Sequence, residues 1–205
     1  MFINYLKTTW RSVKKDKQHF VLNLVGFSIG IAAAILMTLF AQHELSYDIH
    51  QPDSERVYIA HTDYTSVGLQ QIASSSYKSA ETLRSYSQVE DIFKLTEAGY
   101  LHDKPEELVQ IAGKSYRLNN FYAATNNVLD FIQLDVIAGD IGETLSKPGL
   151  LVLSEREAIR LFGDVNVLGR TVNHAKGQYK VGAVFKNLMD NTHAAFDSLM
   201  HMPVD

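Results

Sequence analysis

The longest apolar stretch of the chain runs from Phe20 to Ala41, 22 residues without a formal charge. As an α-helix this stretch would be about 33 Å long, which matches the roughly 30 Å hydrocarbon core of a bilayer. Asn23 and Ser28 are its strongly polar members, and a spanning helix can bury such groups against a neighbouring helix. The pattern therefore predicts a transmembrane helix over residues 19–42.

A secretory signal peptide is the main alternative for this apolar stretch. Such signals have apolar cores of about 7–15 residues and end in a small-x-small cleavage site. The stretch here is longer, and Leu39 interrupts the small-x-small pattern before Ala41, so retention of the helix is favoured. The length of the stretch also disfavours a buried core helix of a soluble protein.

Positive charge is concentrated before the apolar stretch. Residues 1–17 carry five basic side chains and one acidic one, whereas residues 18–205 carry 14 basic and 22 acidic ones. By the positive-inside rule, the N-terminus is predicted to be cytoplasmic and the chain after about residue 42 to be extracytoplasmic. A folded part this acidic does not suit nucleic-acid binding, which requires a basic face.

The residues before the apolar stretch repeat with a helical period. The apolar positions on one predicted face are Phe2, Leu6, Trp10 and Val13. With basic residues on the other side, this pattern predicts an amphipathic helix over residues 1–18, lying in the cytoplasmic membrane interface. Trp10, Arg11 and Lys14 are its candidate anchors. A basic tail that only sets the topology is the alternative.

Small residues recur every four positions inside the predicted membrane helix. Gly26, Gly30 and Ala34 share one helix face, where a second helix could approach closely. These three residues are the helix-packing candidates. The partner helix would have to come from another polypeptide or from sequence outside this chain.

Strand and helix patterns alternate after the apolar stretch, which predicts a mixed α/β (α+β) domain. Residues 57–61 alternate as a strand, a helix cap lies within Ser74–Ser76, and residues 92–102 are a second strand candidate. The later predicted elements are a hairpin turning at Gly113-Lys114, a helical turn and strand ending at Gly139-Asp140, and a hairpin closing at Lys176-Gly177.

The clearest local pattern of the chain lies between residues 150 and 163. Leu150–Leu153 is predicted to be a strand. Ser154 and Glu157 have the spacing of a capping box, in which each side chain bonds the other residue's backbone N–H. Gly163 stands where a helix C-terminus needs a left-handed residue. Ser154, Glu157 and Gly163 are therefore assigned structural capping roles.

The residue types of the chain offer no recognisable catalytic or metal-binding pattern. The absence of cysteine excludes disulfides, thiol catalysis and thiolate metal sites. The eight histidines lack metal-ligand spacing, and Ser154 lacks a Gly-x-Ser-x-Gly elbow. Gly139-x-x-Gly142 is not followed by the Lys-Ser/Thr of a phosphate loop. We therefore expect a non-catalytic chain with no metal and no cofactor.

Four ordered stretches share their pattern with a known family. They read NLVGFSIGIAAAILMTLFAQHELSYDIHQPDSERVY, AATNNVLDFIQLDVIAGD, LVLSEREAIRLFGDVNVLGRTV and YKVGAVFKNLMDNTHAAFD. In these stretches the chain resembles the N-terminal part of an ABC transporter permease of the MacB/FtsX-like family. The resemblance implies a first membrane helix followed by a MacB-like periplasmic core domain over residues 43–205. It also implies a porter-like part at 43–100 and 191–205, with a strand-rich subdomain inserted at 101–190.

The resemblance also implies partners and a location. A permease of this kind lies in the bacterial inner membrane and pairs with a second permease chain. It works with a cytoplasmic ABC ATPase subunit and with a periplasmic adaptor or substrate protein, so that ATP hydrolysis drives export or conformational work in the periplasm. ATPase activity is expected on the separate partner chain.

One departure from the family pattern limits this interpretation. The family continues with at least three more membrane helices, whereas this chain reaches Asp205 without a second apolar stretch. The resemblance is therefore to a fragment or a truncated relative, which we do not expect to transport alone. A single-pass, membrane-anchored ligand-binding or adaptor protein is the alternative function, and a secreted enzyme released by cleavage is a third.

Overall fold

The structure is a computed structural model. It describes residues 1–49, 51, 53–63, 65, 76–101, 108–174 and 177–202. The chain divides into two compact units, residues 1–47 and residues 48–205.

The first unit consists of two helices. Helix α1 spans Phe2–Lys15 and helix α2 spans Lys17–Leu45, so that Asp16 alone separates them. The 29 residues of α2 would be about 43 Å long, and their side chains are exposed along the whole helix. In the described part of the chain, α2 is the one helix whose length and composition would allow it to cross a membrane.

The second unit combines short helices with strands. Its helices are α3 (Tyr77–Arg84), α4 (Val128–Phe131), α5 (Ile141–Leu145) and α6 (Glu155–Phe162), and 3₁₀ turns lie at Ser54–Arg56 and Ala98–Leu101. Its strands are β1 (Leu95–Glu97), β2 (Leu108–Ile111), β3 (Lys114–Arg117), β4 (Phe121–Ala124), β5 (Val136–Gly139), β6 (Leu150–Ser154), β7 (Thr171–His174), β8 (Gly177–Phe185) and β9 (Ser198–His201). The predicted mixed α/β class is confirmed.

All the strands described belong to one mixed sheet. Eight of them follow the order β1-β4-β9-β6-β8-β7-β2-β3, and β5 pairs with β8 beside this path. The β4–β9 and β6–β8 pairs are parallel, and the other pairs are antiparallel. Strands β1 and β9 come from the ranges predicted to be porter-like, and β2 to β8 from the range predicted to be inserted. The boundary between those two parts stays a prediction.

Core side chains pack on both faces of the sheet, and strand β6 explains how. Leu151 and Leu153 contribute to one buried cluster, while Val152 between them contributes to the other. Successive side chains of a strand point to opposite faces, so a central strand with both faces covered is hydrophobic without interruption. This is why the sequence of β6 is a continuous apolar run.

The predicted strand at residues 57–61 is wrong. Residues 57–61 form no ladder, and the side chains of Val57, Tyr58 and Ile59 are exposed. Residue types that suit a strand do not make one unless a neighbouring strand accepts them. The second strand candidate is shorter than predicted, because Glu97 ends β1 and a 3₁₀ turn begins at Ala98.

The β2–β3 hairpin forms, but its turn lies one residue earlier than predicted. Ile111 pairs with Lys114, which makes Ala112 and Gly113 the two turn residues. Both have positive φ, 49° and 79°, the requirement of the tight turn whose twist matches a hairpin. Alanine is not a residue type typical of a position with positive φ, so the sequence did not indicate Ala112 as a turn residue. For this reason the turn was predicted one residue too late, at Gly113-Lys114.

The other local predictions agree with the structure where it describes them. The predicted cap of α3 is present at Ser76, whose side chain accepts the Ser79 N–H. The helical turn α4, strands β5 and β6, and the β7–β8 pairing also form. Positions 74–75, position 102 and Lys176 lie outside the described residues.

Candidate functional site

The helix-packing candidates lie on an open face of α2. A Cβ atom built on Gly26 or Gly30 would meet no atom within 4 Å, and Ala34 on the same face is exposed. The face is therefore sterically available to another helix. Whether a helix binds there stays a prediction.

The candidate membrane anchors lie on α1. Trp10, Arg11 and Lys14 are exposed, and the Lys14 ammonium lies 5.5 Å from the centroid of the Trp10 ring. This distance is within the range of a cation–π interaction. Their role as anchors in the membrane interface stays a prediction.

The capping box predicted at α6 is only half formed. The Ser154 Oγ accepts the Glu157 N–H at 3.2 Å, as an N-cap does. The reciprocal bond is missing because the Ser154 N–H donates to the Asp197 carbonyl oxygen at 2.7 Å instead. The helix ends at Gly163 with φ of 76°, and its N–H donates to the Ile159 carbonyl.

The Glu157 side chain joins α6 to the loop that follows β3. Its carboxylate is completely buried and accepts the backbone N–H of Asn119 at 3.0 Å and the Nε–H of Arg160 at 2.8 Å. The hydrogen bond to Glu157 raises the pKa of the Arg160 guanidinium above its ordinary value. Arg160 also donates to the Arg117 carbonyl at the end of β3. A residue predicted to be a local cap is thus a tertiary contact.

A second buried carboxylate, Asp197, lies directly before β9. It accepts hydrogen bonds from the Ser154 hydroxyl at 2.9 Å, from the Asn120 amide at 2.8 Å and from the Arg156 guanidinium. The bond to Asp197 raises the pKa of Arg156. Asp197 therefore fastens three segments to one another: the start of α6, the loop after β3 and the start of β9.

A third carboxylate, Asp48, lies three residues beyond the end of α2. Its Oδ1 accepts the Thr192 hydroxyl at 2.6 Å, and its Oδ2 lies 2.6 Å from Nδ1 of His193. Its own N–H donates to the Asn191 carbonyl at 3.1 Å. We name this group of residues, Asp48 with Asn191, Thr192 and His193, the latch. The latch connects positions more than 140 residues apart in sequence.

A second contact holds the same segment three residues further on. The Gln51 side chain is largely buried, and its Oε1 accepts the Gln133 N–H at 2.7 Å. Gln133 follows α4, so the contact reaches a different part of the domain from the latch. The segment that follows α2 is therefore held at two points.

The protonation of Asp48 should affect the latch. Burial raises the pKa of Asp48, whereas the hydrogen bonds from Thr192 and His193 lower it. Together the hydrogen bonds outweigh the burial, so the pKa of Asp48 lies below its ordinary value. A carboxyl group with a lowered native pKa stabilises the fold above its unfolded pKa of about 3.9. That contribution is lost as the pH falls through the native value.

We expect Asp48→Asn to lower the stability of residues 48–205 near neutral pH and to have a smaller effect below about pH 4. The measurement is urea unfolding of the full chain at several pH values, followed by pulse proteolysis. Asp53→Asn is the matched control, since Asp53 also has positive φ but makes no capping bond with its side chain. Equal effects of both variants at every pH would contradict a specific role for the latch.

The three carboxylates described above are occupied by hydrogen bonds within the domain. Within the described residues, no group of three histidines, aspartates or glutamates is placed to hold a metal ion. The arrangement ties the segment after α2 and the segment before β9 to the rest of the domain.

Sequence reasoning did not select Asp48, Thr192, His193 or Asp197. Each has a side-chain hydrogen bond with a residue more than 40 positions away, and such contacts leave no local period. The sequence signal that could have identified them is the family resemblance. Asp48 ends the segment ELSYD of the first family-like stretch, and Thr192, His193 and Asp197 lie in the segment NTHAAFD of the last. Residues shared with a family pattern but lacking any local role are candidates for tertiary contacts.

Comparison with known proteins gives the class of this chain first. Its fold, one apolar N-terminal helix followed by a mixed α/β domain, fits an inner-membrane protein. The sequence profile of the MacB-like periplasmic core domain matches residues 20–205. The chain therefore belongs to the MacB-like periplasmic core domain family, whose members are components of ABC-transporter-type permeases. No curated protein matches the chain.

Solved structures also match parts of the chain, among them the three that follow. The periplasmic region of MacB from Actinobacillus actinomycetemcomitans is 17% identical, with 68% of this chain and 61% of that chain covered and a TM-score of 0.49. The extracellular domain of the noncanonic ABC-type transporter YknZ from Gram-positive bacteria is 15% identical, with 62% of this chain and 62% of that chain covered and a TM-score of 0.47. A domain assigned to a permease protein of Porphyromonas gingivalis is 24% identical, with 54% of this chain and 50% of that chain covered and a TM-score of 0.43. The chain thus spans 50% to 62% of the length of these structures.

Proposed function

We propose that this chain is the N-terminal part of an ABC transporter permease subunit. In this proposal its periplasmic domain couples ATP hydrolysis, carried out by a separate cytoplasmic ATPase subunit, to export or to conformational work in the periplasm. Membership of the family supports the general role. The way in which the segment after α2 is attached to the domain supports the coupling.

The latch is the observation that carries the proposal. Asp48 follows the end of α2 by three residues, so a displacement of the helix end reaches Asp48 through a very short tether of about 10 Å. From Asp48 the hydrogen bonds lead to Thr192 and His193. Four residues further along lies Asp197, which holds the start of β9 in the middle of the sheet. Movement of the membrane helix would thus act directly on the core of the domain.

The proposal includes a membrane topology. We place α2 across the bacterial inner membrane, α1 in the cytoplasmic interface and residues after about 42 in the periplasm. The charge difference between residues 1–17 and the rest of the chain supports this orientation. A second permease chain would pack against the open face at Gly26 and Gly30, and a periplasmic adaptor or substrate protein would bind the domain.

The topology predicts a specific pattern of protease sensitivity. Protease added to intact spheroplasts is expected to degrade residues 48–205 while an epitope fused before residue 1 stays protected. After lysis the epitope should be lost as well. Protection of residues 48–205 in intact spheroplasts would reject the topology and, with it, the permease assignment.

The coupling is tested with the full gene product purified together with the ATPase that it binds. We expect ATP to change amide hydrogen exchange in residues 188–202, and we expect Asp48→Asn to abolish that change while ATP hydrolysis continues. Asp53→Asn should behave as the wild type does. If no ATPase copurifies with the gene product, the permease proposal is rejected in favour of a single-pass ligand-binding or adaptor protein.

A further inference from the structure

We propose that the basic face of α1 binds the headgroups of anionic phospholipids in the cytoplasmic leaflet. This face consists of Lys7, Arg11, Lys14 and Lys15. The inference rests on the topology proposed above for α2 and adds to it a lipid selectivity. A bilayer with anionic headgroups supplies the negative charge that balances these four cations.

The basic side chains are exposed and have no acidic partners among the described residues. Lys7, Arg11, Lys14 and Lys15 form none of the ion pairs found there. The acidic residue within the first 17 positions is Asp16, and its carboxylate lies 2.9 Å from Nδ1 of His19. The positive charge of α1 is therefore left for a partner outside the described chain.

The four cations form one continuous stripe. At about 100° per residue, Lys14, Lys7, Arg11 and Lys15 fall in this order within about a third of the circumference. Trp10 and Ile3, both exposed and apolar, lie on the side next to Lys14. A helix that carries a basic stripe beside an apolar one lies flat in the interface, with its apolar side in the acyl boundary and its cations among the headgroups.

The covalent connection places this stripe close to the bilayer. Helix α1 ends at Lys15, and α2 begins at Lys17 after the single residue Asp16. If α2 spans the membrane, the last turn of α1 cannot leave the headgroup region. Clusters of four or more cations directly beside a membrane helix are the usual site for anionic lipid.

Simpler roles account for only part of the stripe. Lys14 and Lys15 lie in the last turn of α1, where cations also interact favourably with the helix dipole. Lys7 and Arg11 lie earlier, beyond the reach of that effect. Orientation by positive charge needs a net excess of cations but no particular arrangement on one face. The alignment of all four is what points to the headgroups.

Trp10 allows a direct test, because it is the sole tryptophan of the chain. The full chain is reconstituted into nanodiscs of phosphatidylcholine alone or of phosphatidylcholine mixed with phosphatidylglycerol. We expect the phosphatidylglycerol discs to shift Trp10 emission to shorter wavelength and to reduce acrylamide quenching several-fold. High salt should remove the difference, because screening weakens headgroup attraction. Soluble glycerol phosphate at equal ionic strength should not reproduce it.

The test variant is Lys7→Gln, Arg11→Gln and Lys15→Gln combined. Lys14 is retained because it lies over the Trp10 ring and would itself alter the emission. Each cation near an anionic surface strengthens association by about fivefold, so three substitutions should abolish the dependence on phosphatidylglycerol. The control combines Lys78→Gln, Lys114→Gln and Lys180→Gln, which remove the same charge from exposed positions in the second unit.

The outcomes separate this inference from the proposed function. Equal quenching of Trp10 in both kinds of disc, or equal loss in the test and control variants, overturns the lipid selectivity. Alkaline carbonate extraction tests α2 separately. If carbonate extracts the wild-type chain, but phosphatidylglycerol still protects Trp10 from acrylamide quenching, the basic face binds lipid and the assignment of α2 as a membrane span is wrong.

Discussion

Replacing Glu157 by glutamine is expected to lower the free energy of unfolding of residues 48–205 by about 2 kcal/mol, because a buried hydrogen-bonding group loses its partners. The carboxylate is completely buried and accepts bonds from the Asn119 backbone and from Arg160. A glutamine turns one acceptor into a donor and leaves the Arg160 cation without its counterion. Urea unfolding of the full chain in detergent, followed by pulse proteolysis, measures the change.

Glu155→Gln is the matched control for this prediction. Glu155 lies in the same first turn of α6 but is only half-buried, so it contributes mainly through the helix dipole, below about 1 kcal/mol. The dipole contribution should shrink with added salt, whereas the hydrogen bonds to the buried Glu157 carboxylate should respond much less. Similar losses for both variants would mean that Glu157 acts as a local cap after all.

Replacing Gly139 by alanine is expected to destabilise the same unit by about 3 kcal/mol or more. Gly139 has φ of 80°, and a Cβ atom there would lie 2.1 Å from the Gly182 carbonyl oxygen and 2.8 Å from the Ala183 Cα. Both atoms belong to the backbone of β8, which cannot move without breaking its pairing with β5. The variant therefore combines backbone strain with a steric clash.

Gly113→Ala separates these two contributions. Gly113 has nearly the same φ, 79°, but its Cβ atom would meet nothing within 4 Å. Its replacement should cost only the left-handed backbone penalty of about 1–2 kcal/mol. If both variants lose the same stability in urea unfolding, the close approach of β5 to β8 does not contribute.

The agreement between sequence and structure is best where the pattern depends on near neighbours. The α6 helix has a cap residue before it and a glycine after it, and both features act within one turn. The apolar run of β6 also predicted its strand, because a strand buried on both faces needs no polar positions. In each case the side chains that decide the element lie inside the element.

The differences arise where a partner distant in sequence decides the outcome. Residues 57–61 have the composition of a strand, yet no neighbouring strand is described for them and they stay exposed. Glu157 was predicted to bond its own helix, but the Asp197 carbonyl takes the Ser154 N–H and the carboxylate turns to Asn119. Both outcomes depend on which backbone groups the fold brings close.

By itself the sequence determined the apolar helix, the asymmetry of charge around it, the mixed class of the domain and the ends of α6. These features follow from hydrophobic period, net charge and capping residues, all of which act over a few positions. Only the tertiary structure decided that Asp48 holds Thr192 and His193, and that Asp197 joins α6 to β9. A carboxylate that is wholly or partly removed from water needs several donors at once, and here those donors come from distant segments that meet only when the sheet has formed.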